Sequence, residues 1–216
     1  GPRLKWIKSK IENKNSLIIT FIISVMLTFF IIKNLATDLL FYTVLISAAF
    51  ILFFTTTKDL FIKKFNNISQ TVSHFGFSLL ILSILFNNIL SSEIITNIKI
   101  GERYDYNRGE IFFKKIEERK ESNFNTIIAF FEIKGKNGKI IELRPQIRIY
   151  NQPITITSEA DIRTTLLEDK FLVMSLVKGN EYFNIRYQVK PFMVWIWISV
   201  LLLSLGGLMS LFKRKI

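Results

Sequence analysis

His74 is the chain's one histidine, and there is no cysteine. It stands near the start of the apolar stretch Val72-Ser73-His74-Phe75-Gly76-Phe77-Ser78-Leu79-Leu80-Ile81-Leu82, which runs on to Leu90. That stretch is long enough to cross a bilayer. An ionisable side chain is costly in hydrocarbon, so an intramembrane histidine usually has a partner and a purpose. One histidine without cysteine cannot build a multi-ligand site for a soft metal within this chain. A lone imidazole in that setting is suited to one axial position on a haem iron, with the second ligand supplied by another chain. The plainer reading is a histidine hydrogen-bonded to a backbone carbonyl or to a serine on an adjoining helix. Gly76, two residues on, removes bulk and lets a neighbouring helix or a macrocycle approach.

Other residue groups carry less chemistry. In Lys190-Pro191-Phe192-Met193-Val194-Trp195-Ile196-Trp197 the proline suits a first helical turn and the tryptophans suit a membrane interface. Gly206-Gly207 permits close helix packing. Arg144 and Arg148 flank Pro145 and could meet a propionate or an acidic partner, although a solvated strand end explains them as well. Glu159, Asp161, Glu168 and Asp169 form no acid–base pair, and no nucleophile–base pair is evident. Gly135-Lys136-Asn137-Gly138 is hairpin-turn chemistry, not a phosphate loop. No catalytic residue is expected in this chain.

The elements that must position His74 are membrane spans. Half of the 216 residues are hydrophobic, and the mean hydropathy is positive. The formal charge of +12 reflects 29 basic against 17 acidic residues. Such an excess fits either nucleic acid or basic loops that orient a membrane protein. The basic residues gather beside apolar runs without a nucleic-acid signature, so no nucleic-acid partner is expected. The dominance of Ile, Lys, Asn and Phe matches AT-rich coding, as in an organellar genome. Gly1-Pro2, without an initiator Met, admits a tag scar, a processed end or a fragment boundary.

About four transmembrane helices are expected, over Leu17–Ile32, Leu39–Thr56, Val72–Leu90 and Phe192–Phe212. The short connection Lys33–Asp38 forces the first two into an antiparallel hairpin. Arg3, Lys5, Lys8, Lys10 and Lys14, then Lys58, Lys63 and Lys64, then Lys213-Arg214-Lys215 all fall on one side with an even number of spans. That side is the inside. The segment Ser91–Lys190 then lies outside and reads as β: strands near Ile94–Ile100, Glu110–Ile116, Thr126–Ile133 and Lys139–Leu143, and a second hairpin, Phe171–Val177 and Tyr182–Val189, around Gly179-Asn180. Thr157-Ser158-Glu159-Ala160-Asp161-Ile162 reads as a helix start, with a hydroxyl cap and acidic first turn. The fold class is therefore membrane α-helical with an inserted small all-β extramembrane domain. Residues 1–91 hold three spans, 92–190 the β-rich domain, and 191–216 the last span with a basic tail.

Taken in order, these pieces resemble the C-terminal part of CcmF, the haem-lyase subunit of the cytochrome c maturation system. Gly1-Pro2-Arg3-Leu4-Lys5-Trp6 is similar to the family's Gly-Pro-Leu-x-Arg-Trp, which argues against a tag scar. Ser73-His74-Phe75-Gly76 resembles its Ala-His-x-Gly, and Arg144 to Tyr150 its Pro-Glu-x-Arg-x-Tyr strand. Thr157 to Ile162 resembles a Thr-Glu-Ala-x-Ile helix start, and Lys190 to Trp197 the family's Lys-Pro-Phe-Val-Arg-Trp-Ile-Trp. Gln146, Val194 and Ser199 depart from a family glutamate, arginine and glycine.

The resemblance implies that His74 is one of two axial ligands of an integral haem b, bound through its iron. The partner histidine and the tryptophan-rich haem platform lie in the family's N-terminal part, so this chain looks like one half of a split lyase, or a fragment. The implied function is to hold haem b and to scaffold covalent haem attachment to apocytochrome c, without activity alone. Implied partners are the N-terminal part of the lyase, haem-delivery and apocytochrome-binding maturation proteins, apocytochrome c and membrane lipid. The implied location is the mitochondrial inner membrane with 92–190 in the intermembrane space, or a bacterial inner membrane with that segment in the periplasm. An accessory membrane subunit that kept the fold is the alternative.

Overall fold

A computed structural model describes residues 14–33, 39–62, 68–177 and 181–213. Its elements run α1 (Lys14–Ile32), α2 (Leu39–Ile62), α3 (Ile68–Leu90), ten strands, and α4 (Met193–Lys213). Among the described residues, four helices are long and apolar enough to cross a membrane, as expected from the sequence. The chain is a membrane α-helical protein with an inserted β-domain. It divides into two compact units, residues 87–194 and the helices on either side of them.

The helices begin and end further out than their hydropathy suggests. α2 runs through Thr57, Lys58 and Asp59, and α3 starts at Ile68 ahead of Ser69, Gln70 and Thr71. A helix satisfies its backbone regardless of side-chain polarity, so hydropathy marks the hydrocarbon and not the helix end. The basic residues before Lys14, Lys63-Lys64, the middle of the first connection and the Arg214-Lys215 tail lie outside the described residues.

α1 and α2 form the antiparallel hairpin: Lys58 Nζ, late in α2, donates to Ser16 Oγ, early in α1. The contact face of α1 is small and polar, with Ser24, Thr28 and Ile32 buried at four-residue spacing. Their hydroxyls return to the helix's own carbonyls, Ser24 to Thr20 at 2.7 Å and Thr28 to Ser24 at 2.8 Å. Neither of these two hydroxyls is then stranded in an apolar medium. α3 meets α2 through a 2.7 Å hydrogen bond between Thr56 and Ser78 and through the rings of Phe53 and Phe75, 5.7 Å apart.

The unit of residues 87–194 is a β-sandwich. One sheet has the order β1 (Ser92–Ile98), β10 (Phe183–Pro191), β9 (Glu168–Leu176), β8 (Asp161–Thr164). The other runs β2 (Arg103–Tyr106), β3 (Gly109–Lys120), β4 (Phe124–Gly135), β6 (Gln146–Asn151), β7 (Ile154–Glu159), and β5 (Ile140–Leu143) also pairs with β4. Alternating residues of both sheets close one core around Phe113, Phe131, Ile147, Leu172, Met174, Ile185 and Tyr187. Phe113 and Phe131 stack at 4.3 Å, and Tyr187 meets Tyr106 edge-on at 5.9 Å. Burial pushes both tyrosine hydroxyls to higher pKa. The Gly135–Gly138 turn forms as expected, with Gly138 at φ +75° and its N–H donating to Gly135 O at 2.9 Å. Gly179-Asn180 lies outside the described residues.

The expected helix start at Thr157–Ile162 is replaced by strands β7 and β8. Hydroxyl and acidic residues fit either a helix cap or a strand border. What decides is β-branching, with Ile154, Thr155, Ile156 and Thr157 pairing in register with β6. The acidic residues serve the strands: Asp161 Oδ2 accepts from the Arg144 N–H at 2.5 Å.

Asp169 yields a pH prediction. It is 8 % exposed, and among the described residues its Oδ1 has no hydrogen-bond partner. Burial raises its pKa above the usual 3.8, partly offset by a hydrogen bond from Thr164. A carboxyl raised on folding contributes stability below its unfolded pKa and loses it as pH rises through the folded one. Denaturation midpoints of the β-domain should therefore fall as pH rises from below 3.8 through that higher value. Asp169→Asn should flatten this fall and raise the midpoint at neutral pH.

Candidate functional site: the exposed face of α3

α3 presents three faces. Phe75 and Ser78 face α2. Ser69, Ser73 and Gly76 face α4, where a Cβ built on Gly76 would lie 3.0 Å from Leu202 Cβ and 3.1 Å from Ser199 O. The third face carries Gln70, His74, Phe77 and Ile84, all exposed. Their spacing of four, three and seven keeps them on one side of the helix.

His74 is on this open face, and among the described residues no other histidine, cysteine, aspartate or glutamate joins it in a metal-sized cluster. Its helical position lies roughly 9 Å along the axis from Ile68, at ~1.5 Å per residue, nearly two turns in. Its hydrogen-bonding neighbour is Gln70, one turn earlier, with Nε2 of the amide 3.4 Å from Nε2 of the ring. That contact is long for a hydrogen bond, and the donor and acceptor roles in it follow the imidazole tautomer. Phe77, one turn on, is 48 % exposed on the same face, and Ile84, roughly 15 Å along the axis from His74 at ~1.5 Å per residue, is 49 % exposed.

Gly76 does something other than clear space around the imidazole. Two residues turn a helix by about 200°, which sends Gly76 to the face opposite His74. The glycine admits α4, not a macrocycle. Gly206 does the same from the other helix: a Cβ there would lie 2.2 Å from Ser73 Oγ and 2.7 Å from Ser73 N. Gly207 meets nothing within 4 Å. Only the first glycine of the pair makes the contact. Sequence inspection gave the two glycines equal weight, whereas Ser69, Ser73 and Gly76 at helical spacing mark the matching surface. Ser199 is fully buried, its hydroxyl returned to Trp195 O at 2.6 Å.

The two arginines are engaged within the β-domain. Arg144 bonds Glu142 at 2.8 Å and its guanidinium lies over the Phe130 ring. Arg148 approaches Glu159 at 3.9 Å and lies over Phe124. Of the carboxylates, Glu159 is met by Arg148, Glu168 by Lys170 at 3.1 Å, and Asp161 by the Arg144 N–H. These pairings spread three of the four acidic residues over separate contacts, and Asp169 meets Thr164. Trp197, a short way into α4, is 66 % exposed, in keeping with an interfacial ring.

Residues 89–191 match the family model described as the CcmF C-terminal beta-sandwich. The chain is 24% identical over 177 residues to the cytochrome c-type biogenesis protein NrfE of Haemophilus influenzae, covering 81% of this chain and 28% of that protein. It is 31% identical over 123 residues to the cytochrome c-type biogenesis protein ccl1 of Rhodobacter capsulatus, covering 57% of this chain and 19% of that protein. With CcmF of Escherichia coli the identity is 25% over 146 residues, 68% of this chain and 23% of the relative. The chain thus spans between 19% and 28% of the length of these relatives. A solved structure, cytochrome c heme lyase CcmF, superposes with a TM-score of 0.65 at 19% identity, over 96% of this chain and 36% of the other. That likeness is one of fold.

Proposed function

We propose, from the premise that this chain corresponds to the C-terminal part of CcmF proteins, that it supplies one half of a membrane haem b site through His74 and carries the outer β-domain of a cytochrome c haem lyase. The observation that carries this reading is the exposed imidazole on the one face of α3 that neither α2 nor α4 occupies. A histidine kept for packing would turn inward to a carbonyl or serine. This one turns outward, in a span, toward whatever covers that face.

The residues fit half of a bis-imidazole site. His74 would offer a ring nitrogen to the iron, and its 3.4 Å contact with the Gln70 amide is long enough to give way to one. Phe77, one turn on, provides an apolar wall on the same side. When bound, haem b would supply one-electron chemistry, which the family resemblance links to reduction of the incoming haem iron. The work of this chain is to hold one ligand at a set depth and to keep water from it. The second imidazole comes from elsewhere, since the sequence offers one histidine. Joining haem to apocytochrome c belongs to the assembled lyase, with its N-terminal part and the haem-delivery and apocytochrome-binding proteins. The assembly is assigned to a mitochondrial inner membrane with the β-domain in the intermembrane space, or to a bacterial inner membrane with it in the periplasm. The clustering of basic residues beside the spans supports that orientation.

The test is the absorption of the chain purified with its partners, oxidised and then reduced, with haem type assigned by pyridine haemochrome. A low-spin b-type spectrum is expected. A stable complex that carries no haem would instead identify an accessory subunit that retained the fold.

A further inference from the structure

Two leucines occupy a position where turn chemistry favours polar residues. Leu166-Leu167 is the two-residue tip of the hairpin joining β8 and β9, where Thr164 and Asp169 form the last registered pair. Such tips usually carry Gly, Asn or Asp. The tip is held firmly: Thr165 N–H donates to Glu168 O at 3.0 Å, Thr165 Oγ1 donates to the same oxygen at 2.7 Å, and Glu168 N–H reaches Thr165 Oγ1 at 3.1 Å. Both leucines are 68 % exposed. A fixed turn that holds two large apolar side chains out of its own core has something else to bury them in.

The place of the tip in the chain says what that is. The Phe192 N–H donates to Leu167 O at 2.8 Å, and Pro191 stands opposite Glu168 in the sheet. Met193, the next residue, opens the span Met193–Phe212. Its 20 residues measure about 30 Å, the thickness of the hydrocarbon core, so its first residue stands at the boundary. Asn87 Nδ2, near the end of the preceding span, donates to Pro191 O at 2.6 Å and marks the same level. The tip is therefore one hydrogen bond from Phe192, the residue that precedes the span.

We propose that Leu166-Leu167 is a membrane-interface anchor whose leucine side chains insert into the leaflet from which α4 enters. The partner is the lipid itself.

With no native cysteine, single nitroxide labels can be placed cleanly. Leu166→Cys, Leu167→Cys and, as a water-exposed control, Glu181→Cys at the other end of the β9–β10 hairpin would be made in the full chain. Each variant goes into nanodiscs of phosphatidylcholine with an anionic lipid. Collision rates with oxygen and with a water-soluble nickel chelate are then compared. Several-fold excess of oxygen over nickel collisions at either tip position, with the reverse at Glu181→Cys, is expected. Nickel access at both tip positions equal to that of the control would overturn the anchor. Shielding of both from both reagents would also overturn it, by showing that protein and not lipid covers the tip.

Discussion

His74→Ala should remove the low-spin haem b absorption of the assembled complex while leaving the chain's accumulation in the membrane unchanged. The two halves of that expectation have separate physical grounds. One bis-imidazole ligand is lost outright, and no second histidine in this sequence can move into its place. Stability, in contrast, hardly depends on this side chain. It is exposed, its hydrogen bond to Gln70 is long at 3.4 Å, and truncating such a residue changes stability by no more than about 0.5 kcal/mol. A spectrum unchanged in the variant would sink the ligand assignment. Loss of the spectrum together with loss of the chain would point to a packing role that the open face does not support.

How far the sequence reveals this arrangement differs from element to element. The four spans and the β-domain were legible because a bilayer demands long apolar runs and a half-buried sheet demands alternation. The ends of α2 and α3 were not, because Lys58, Gln70 and their neighbours read as loop by hydropathy while remaining helical by backbone bonding. Thr157–Ile162 reads as a helix cap because Thr157 and Glu159 suit either role until the pairings of β7 with β6 and of β8 with β9 are known. Both are hairpins, with Asn151 opposite Ile154 and Thr164 opposite Asp169, so the deciding signal lies in the turns and not in the residues of the cap pattern.

The candidate site follows the same logic. That His74 stands in a span is written in the sequence, but which way it points depends on where α2 and α4 pack. Gly76 invites the error of assigning it to its neighbour two residues away, since both belong to one short motif. Helical geometry separates them by about 200°. The motif then has two sides on opposite faces: an imidazole turned outward and a contact point turned toward α4.

That division makes Gly206 the second critical position, and adjacent glycines offer an internal comparison. Gly206→Ala adds one methyl where its Cβ would lie 2.7 Å from Ser73 N and 2.8 Å from Ser69 O. A serine hydroxyl can swing aside, but backbone atoms cannot, so α3 and α4 must separate. Forcing a methyl into a closed contact costs roughly 1–3 kcal/mol, and a rigid backbone on the other side favours the upper part of that range. Gly207→Ala meets nothing within 4 Å. It should be neutral or stabilising by up to about 1 kcal/mol, from the better helix propensity of alanine. The same substitution at neighbouring residues should thus move thermal stability in detergent in opposite directions. The consequence extends to function: a shift of α3 re-aims the face that carries His74, so the haem b spectrum of the Gly206→Ala complex should weaken or change while that of Gly207→Ala remains normal. Equal tolerance at the two positions would mean that α3 and α4 do not cross at Ser73, and that the open face of α3 has been drawn on the wrong side.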